Sequence, residues 1–259
     1  MKVAILAGGL GTRLREETEF RPKPMVEIGG RPILWHIMKI YAHHGFKDFI
    51  VCLGYKGEAI KEYFLDYEAM NNDFTVRLGN PNEIEFHSNH GEDGWRVTLA
   101  DTGDSAMTGA RIKRIEQYLD GDDFMVTYGD GVADIDVKRL VDFHLGHGKT
   151  ATLTGVRPTS RFGELLIKDD NVMEFSEKPQ SSEGHINGGF FVFKKRFLDL
   201  LSAEDDCILE REPMRELCAT RDIKLFPHDG FWQCMDTYRD NKYLQEIWQK
   251  GNAPWKVWE

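Results

Sequence analysis

Apolar residues recur with two alternating rhythms through the first half of the chain. Short unbroken apolar runs at Val3–Ala7, Phe49–Leu53, Phe124–Tyr128 and Ala151–Val156 predict strands buried on both faces. Helical spacing fills the intervals. A helix is predicted near Pro32–His44, with Ile33, Leu34, Ile37, Met38 and Tyr41 on one face and Gly45 at its end. Further helices are predicted at Glu58–Tyr67, at Arg111–Leu119 with Ile112, Ile115 and Leu119 inward, and near Val137–Leu145. Strands alternating with helices make right-handed crossover units and a mostly parallel sheet.

Two stretches leave that rhythm. Phe74, Val76 and Leu78, then Ile84 and Phe86, then Trp95, Val97 and Leu99 alternate at period two, with Asn, Gly and Pro between them. This predicts short antiparallel strands inserted at about 72–100. Leu165–Ile167, Val172–Phe175 and Gly189–Phe193 read as further strands. A last helix is expected near Tyr238–Gln249, after the capping pair Asp236-Thr237. The expectation is one α/β domain over 1–259: a Rossmann-like, mostly parallel central sheet with helices on both faces and small antiparallel β insertions.

Charge and cysteines narrow the function classes. The chain carries 33 basic and 43 acidic side chains, a net charge of −10. That opposes a general nucleic-acid binder, which needs positive surface to track phosphates. No segment approaches the roughly 20 apolar residues of a membrane span, and the run at Met1–Ala7 is too short for a secretory signal. Cys52, Cys207, Cys218 and Cys234 form no C-x-x-C pair, which suits reduced thiols in the cytoplasm.

Candidate chemistry begins after the first strand, at Gly8-Gly9-Leu10-Gly11-Thr12-Arg13. Backbone N–H groups in such a turn can cradle an anion, and glycine lets phosphate come close; the same glycines also suit a plain turn. The dinucleotide fingerprint G-x-G-x-x-G fails here because its last position is Leu14, and no Gly-Lys-Ser/Thr of a Walker loop is present. Downstream, Arg21-Pro22-Lys23-Pro24 presents a cation on a restricted backbone.

Leu6-Ala7-Gly8-Gly9-Leu10-Gly11-Thr12-Arg13-Leu14 with Pro22-Lys23-Pro24 resembles the signature of the sugar-1-phosphate nucleotidyltransferases. Tyr128-Gly129-Asp130-Gly131, Arg161-Phe162-Gly163, Phe175-Ser176-Glu177-Lys178-Pro179, Asn187-Gly188-Gly189-Phe190 and Trp232-Gln233-Cys234-Met235-Asp236-Thr237 follow in that family's order. Asp101–Ser105 with Met107-Thr108-Gly109 and Arg111 is similar to the cytidine-using branch, as is the closing Ala253–Glu259.

The resemblance implies a Mg²⁺-dependent transfer of a cytidylyl group from CTP to glucose 1-phosphate. It places the nucleotide against Leu6, Ala7, Gly8, Gly9, Leu10, Gly11, Thr12, Arg13 and Lys23, and the base against Thr108, Gly109 and Arg111. Arg13, Lys23 and Asp130 carry the catalytic roles, and Asp130 and Asp236 hold the metal. Glu177, Lys178, Asn187 and Gly188 take the sugar phosphate, beside a pocket shaped by Arg161-Phe162-Gly163. It further implies a homo-oligomer; the inserted strands around Phe74–Leu99 are our own candidate for the contact.

Read by themselves, several of these residues have plainer roles. Asp130 could be an Asp-Gly turn residue, Asp236 a helix cap, Glu177-Lys178 a solvated pair, and Arg111 a surface arginine facing an acid. The rival functions are the same chemistry on other substrates, a non-catalytic nucleotide sensor, and a dehydrogenase weakened by Leu14. His144-x-x-His147 has helical spacing but no partner of ligand spacing, so these read as surface histidines. Trp248, Trp255 and Trp258 read as packing residues.

Overall fold

A computed structural model of the chain describes residues 1–9, 11, 14–79, 83–87, 90–157, 164–168, 171–176 and 184–258. In chain order the elements begin β1 (Val3–Leu6), α1 (Arg15–Thr18), β2 (Glu27–Ile28), β3 (Arg31–Pro32), α2 (Ile33–His43) and β4 (Asp48–Leu53). They continue α3 (Gly57–Leu65), α4 (Tyr67–Asn71), β5 (Phe74–Val76), β6 (Ile84–Phe86), β7 (Arg96–Asp101), α5 (Thr108–Arg114), β8 (Asp123–Tyr128) and β9 (Gly131–Ala133). The remainder is α6 (Val137–His147), β10 (Ala151–Val156), β11 (Glu164–Lys168), β12 (Asn171–Ser176), β13 (Ile186–Lys194), α7 (Glu212–Ala219), β14 (Ile223–His228), β15 (Trp232–Cys234) and α8 (Tyr238–Gln249).

The central sheet has seven strands in the order β14-β10-β13-β8-β1-β4-β7. Its pairs are parallel except at β13, which runs antiparallel to both β10 and β8. Buried strands alternate which face each residue serves. Val3, Ile5, Phe49, Val51 and Val192 join one core with Ile37 of α2, Ile60 of α3, Leu140 of α6 and Leu244 of α8. Ala4, Leu6, Ile50, Val126 and Phe193 join the other, with Ile112 of α5 and Leu217 of α7. Each large apolar side chain so buried contributes roughly 1.5–3 kcal/mol relative to exposure. The helices therefore cover both faces, as the periodicity predicts.

Two expectations change in detail. Trp95, Val97 and Leu99 do not belong to an antiparallel insertion, because β7 pairs parallel to β4 at the edge of the central sheet. Only β5 and β6 form the separate hairpin. His144 is not a surface residue: it is fully buried on the α6 face that carries Val137, Leu140 and Val141. Its Nδ1 lies 2.8 Å from Thr152 Oγ1 and its Nε2 lies 3.2 Å from Asp123 Oδ1. Burial lowers its pKa, against the opposing pull of Asp123.

The tryptophans near the end pack on α2. Trp255 is fully buried and Trp248, Trp255 and Trp258 surround His36. The chain order reverses at β1, which continues to β4 on one side and borders β8 on the other. Ligands of open α/β sheets collect at the carboxyl ends of strands at such a switch point.

Candidate active site

A cavity of about 320 Å³ opens at the carboxyl ends of β1 and β8. Leu6, Ala7, Gly8, Gly9 and Gly11 form one wall, and Lys23, Asp130 and Asp236 reach it from three separate segments. The Gly129 N–H donates to the Leu6 carbonyl at 3.0 Å, which ties the end of β8 to the start of the glycine loop. Leu10, Thr12 and Arg13 lie outside the described residues.

Lys23 opens a 3-10 turn, Lys23–Met25, that Pro22 enters at φ −68° and whose second residue is Pro24. Proline fixes φ near this value, so the turn is set before the lysine side chain finds its partners. Its ammonium donates to Asp130 Oδ2 at 2.7 Å and to Asp236 Oδ1 at 2.5 Å. Burial works to lower its pKa, but the Asp130 charge and hydrogen bonds to both carboxylates outweigh it and raise the value. The lysine is therefore cationic at neutral pH.

Asp130 follows β8 directly. Asp236 is brought to it by the β9–β15 pair, in which Cys234 faces Gly131, and by the Met235 N–H donating to the Asp130 carbonyl at 2.8 Å. Thr237, not Asp236, caps α8: its hydroxyl accepts the Asp240 N–H, and the Asp240 carboxylate returns a bond to the Thr237 N–H. That capping box leaves the Asp236 carboxylate turned to Lys23. The Cys234 thiol joins the two carboxylates, with one donor atom from each residue within 4.8 Å of the others. Burial, and then the Asp130 charge, push the Cys234 thiol up and keep it protonated.

The opposite wall comes from Ala106, Met107, Thr108 and Arg111 at the start of α5. The Thr108 hydroxyl donates to Glu210 Oε2 at 2.7 Å and accepts the Leu209 N–H at 3.0 Å. Gly109 is buried behind this wall, with its N–H held by the Cys207 carbonyl at 3.0 Å. Arg111 is buried at 4% exposure, so it is not a surface arginine facing an acid.

At the start of β13, Asn187 Nδ2 donates to the Tyr128 hydroxyl at 3.0 Å, and the Tyr128 hydroxyl in turn donates to Glu210 Oε1. Burial and the Glu210 carboxylate raise the Tyr128 pKa, so it stays a neutral donor. Gly188 is buried, and its carbonyl accepts from Trp232 Nε1 at 2.8 Å. Glu177, Lys178 and the Arg161-Phe162-Gly163 segment lie outside the described residues.

Sequence reasoning missed Tyr128, Glu210 and Cys234 as members of this site. Tyr128 and Cys234 stand inside the quoted motifs beside Asp130 and Asp236. Glu210 had no local signal, since its partners lie 82 and 102 residues away.

Comparison with known proteins agrees with this geometry. Residues 2–219 match the nucleotidyl transferase family model. The chain is 54% identical over 260 residues to the glucose-1-phosphate cytidylyltransferase of Salmonella typhimurium, covering 100% of both. It is 30% identical to the mannose-1-phosphate guanyltransferase of Saccharomyces cerevisiae, covering 94% of this chain and 63% of that protein. The solved structure of HddC from Yersinia pseudotuberculosis complexed with GMP-PN superposes with a TM-score of 0.67 at 24% identity, covering 95% of this chain and 99% of that one. With a glycine loop, a rigid lysine and paired aspartates at the switch point, the chain belongs to the nucleotidyl transferase family.

Proposed function

We propose that the chain transfers the cytidylyl group of CTP to glucose 1-phosphate, giving CDP-glucose and pyrophosphate. The carrying observation is the convergence of Lys23, Asp130 and Asp236 on a cavity walled by the glycine loop. Its likeness over full length to a glucose-1-phosphate cytidylyltransferase supports the choice of base and sugar.

A phosphate oxygen of the sugar phosphate attacks the α-phosphorus of CTP in line, and the bond to the departing pyrophosphate breaks. Both reactants are polyanions, so the barrier is lowered by cations, backbone donors and positioning. Gly8, Gly9 and Gly11 let the phosphates approach the backbone. Lys23, with Arg13, neutralises charge at the triphosphate. Asn187 and Gly188, with Glu177 and Lys178, take the sugar phosphate. Thr108 and its neighbours face the base.

The Lys23 ammonium paired with both Asp130 and Asp236 supports reading this pair as a cation seat. Two hard carboxylate donors suit Mg²⁺, and Asp130 and Asp236 would hold it where it adds positive charge beside the phosphates. The protein is further assigned to the cytoplasm, where its four free cysteines stay reduced. Among the described residues no helix is long and apolar enough to cross a membrane.

Incubation with glucose 1-phosphate and each of CTP, UTP, dTTP and GTP, reading pyrophosphate, tests the reaction. CTP is expected to be used best. A preference for UTP or dTTP overturns the base assignment, and no pyrophosphate with any triphosphate leaves a non-catalytic binder. Homo-oligomerisation is assigned to the half-exposed apolar face of the β5–β6 hairpin, where Phe74 faces Phe86 and Val76 faces Ile84. Light scattering on the intact chain checks this, and a monomer at all concentrations overturns it.

A further inference from the structure

Glu210 stands on a segment whose backbone is docked to one wall of the cavity. The Met107 N–H donates to the Asp205 carbonyl at 2.8 Å, and the Gly109 and Ala110 N–H groups donate to the Cys207 carbonyl at 3.0 and 3.1 Å. The Leu209 N–H donates to the Thr108 hydroxyl at 3.0 Å, and Leu209 itself is fully buried in the core that holds Ile112. This segment is therefore part of the wall at the start of α5.

The side chain of Glu210 crosses to the other side. Its Oε2 accepts from the Thr108 hydroxyl on α5 at 2.7 Å, and its Oε1 accepts from the Tyr128 hydroxyl at the end of β8. Tyr128 accepts in turn from Asn187 Nδ2 at 3.0 Å, and Asn187 Oδ1 accepts the Gly189 N–H at 2.9 Å. A hydroxyl has one proton, and both hydroxyls spend it on the carboxylate. Every member of the chain then has one orientation, from the Gly189 backbone on β13 to the Leu209 backbone beside α5.

The described residues that line the cavity include Thr108 and Tyr128 but not Glu210. Glu210 is exposed, so hydrogen bonds hold it across the gap where packing does not. Fixing such a side chain costs rotamer entropy. A ligand that orders one end of the chain removes part of that cost for a ligand at the other end. Hydrogen bonds in series also strengthen one another.

We infer that Glu210 is a positioning residue that couples the two substrate sites: through Thr108 and Tyr128 it makes nucleotide binding favour sugar-phosphate binding, and the reverse, without touching either substrate. This rests on the nucleotidyl-transfer reading of the cavity, with the nucleotide against α5 and the sugar phosphate at Asn187.

Calorimetry on the full chain with Mg²⁺ tests it, using glucose 1-phosphate and α,β-methylene-CTP, in which a carbon replaces the oxygen that would leave with pyrophosphate. Each ligand is titrated alone and with the other saturating. In wild type each should tighten the other by the same factor, about 5- to 150-fold, because coupling of two sites is reciprocal. Glu210→Gln keeps the shape but exchanges one acceptor oxygen for an amide donor, so the hydroxyl facing that nitrogen loses its acceptor. The coupling factor should then collapse towards unity, whatever happens to the affinity of each ligand alone.

An unchanged factor in folded Glu210→Gln makes Glu210 a prop of one wall and overturns the inference, even if both ligands bind more weakly alone. A wild type that binds both ligands with no effect of one on the other also overturns it and leaves the proposed reaction standing. A wild type that does not bind glucose 1-phosphate in any combination overturns the inference and the proposed substrate together. If Glu210→Gln does not fold, Tyr128→Phe, which removes the hydroxyl between Glu210 and Asn187, decides by the same factor.

Discussion

Acidification should destabilise the protein through one buried histidine, and the size of the effect follows from its surroundings. His36 is fully buried on α2, with Nε2 2.8 Å from the Ile28 carbonyl and Nδ1 3.4 Å from Trp255 Nε1. A neutral ring with its proton on Nε2 satisfies both contacts, donating to Ile28 and accepting from Trp255. Protonating Nδ1 sets two donors against each other in a cage of tryptophan rings. Burial is the main cause that lowers the His36 pKa from 6.5 to about 4; the Ile28 and Arg31 carbonyls oppose it and the Arg31 charge adds to it.

The folded-state pKa is depressed, so the unfolded chain takes up a proton that the folded chain refuses. Stability is full above pH 6.5 and is lost as pH falls towards 4. The difference of 6.5 − 4 pKa units, at 1.36 kcal/mol each, gives a loss of about 3 kcal/mol. Urea unfolding between about pH 7 and pH 4, for wild type and His36→Phe, isolates it. His44, His144, His147 and the carboxylates titrate in both proteins and cancel in the difference. The wild type should lose about 3 kcal/mol more than His36→Phe across that window. Parallel curves for the two proteins, or an imidazole resonance of His36 titrating near 6.5, would refute the reasoning.

Other outcomes follow from the same contacts. Lys23→Met should lower turnover by orders of magnitude and leave Asp130 and Asp236 facing each other without the ammonium; its melting temperature should then rise with added Mg²⁺ more than wild type does. An equal Mg²⁺ response in a calorimetric scan would count against the lysine as occupant of that seat. Trp255→Ala empties the core beneath the end of the chain and should cost about 3–5 kcal/mol in denaturant titration; a loss below about 1 kcal/mol would mean that the tail is not anchored there. Iodoacetamide should alkylate exposed Cys218 first, and Cys52 and Cys234 last, because burial pushes the Cys52 thiol up to about 12 and raises Cys234 as well. Peptide mass spectrometry after brief treatment checks the order.

Much of the fold is legible in the residues alone, and the departures have physical causes. Unbroken apolar runs marked the strands at the centre of the sheet because neighbours and helices cover both of their faces. The span of α8 follows from the cap at Thr237 and the apolar face above it. β7 was misread because an edge strand is half-exposed and alternates at period two, as an antiparallel strand does. His144 was legible in principle: Val137, Leu140, Val141 and His144 share one helical face, and that face outweighed the polarity of one ring. The glycine loop, Lys23, Asp130 and Asp236 carried local signals. The reach of the Arg111 guanidinium to carbonyls at the ends of β1, β4 and β7 did not, because a side chain that bonds to backbone carbonyls leaves no trace in the identity of its partners.

The Lys23 ammonium between Asp130 and Asp236 has a consequence for assembly of the catalyst. A carboxylate pair left bare would repel itself, and folding would then be coupled to metal uptake, as it is in small metallodomains. Here the chain carries its own counter-ion to the site on a proline-set turn. If Asp130 and Asp236 hold a divalent ion as proposed, folding and metal loading become separate events, and the newly made protein can complete its core before that ion arrives.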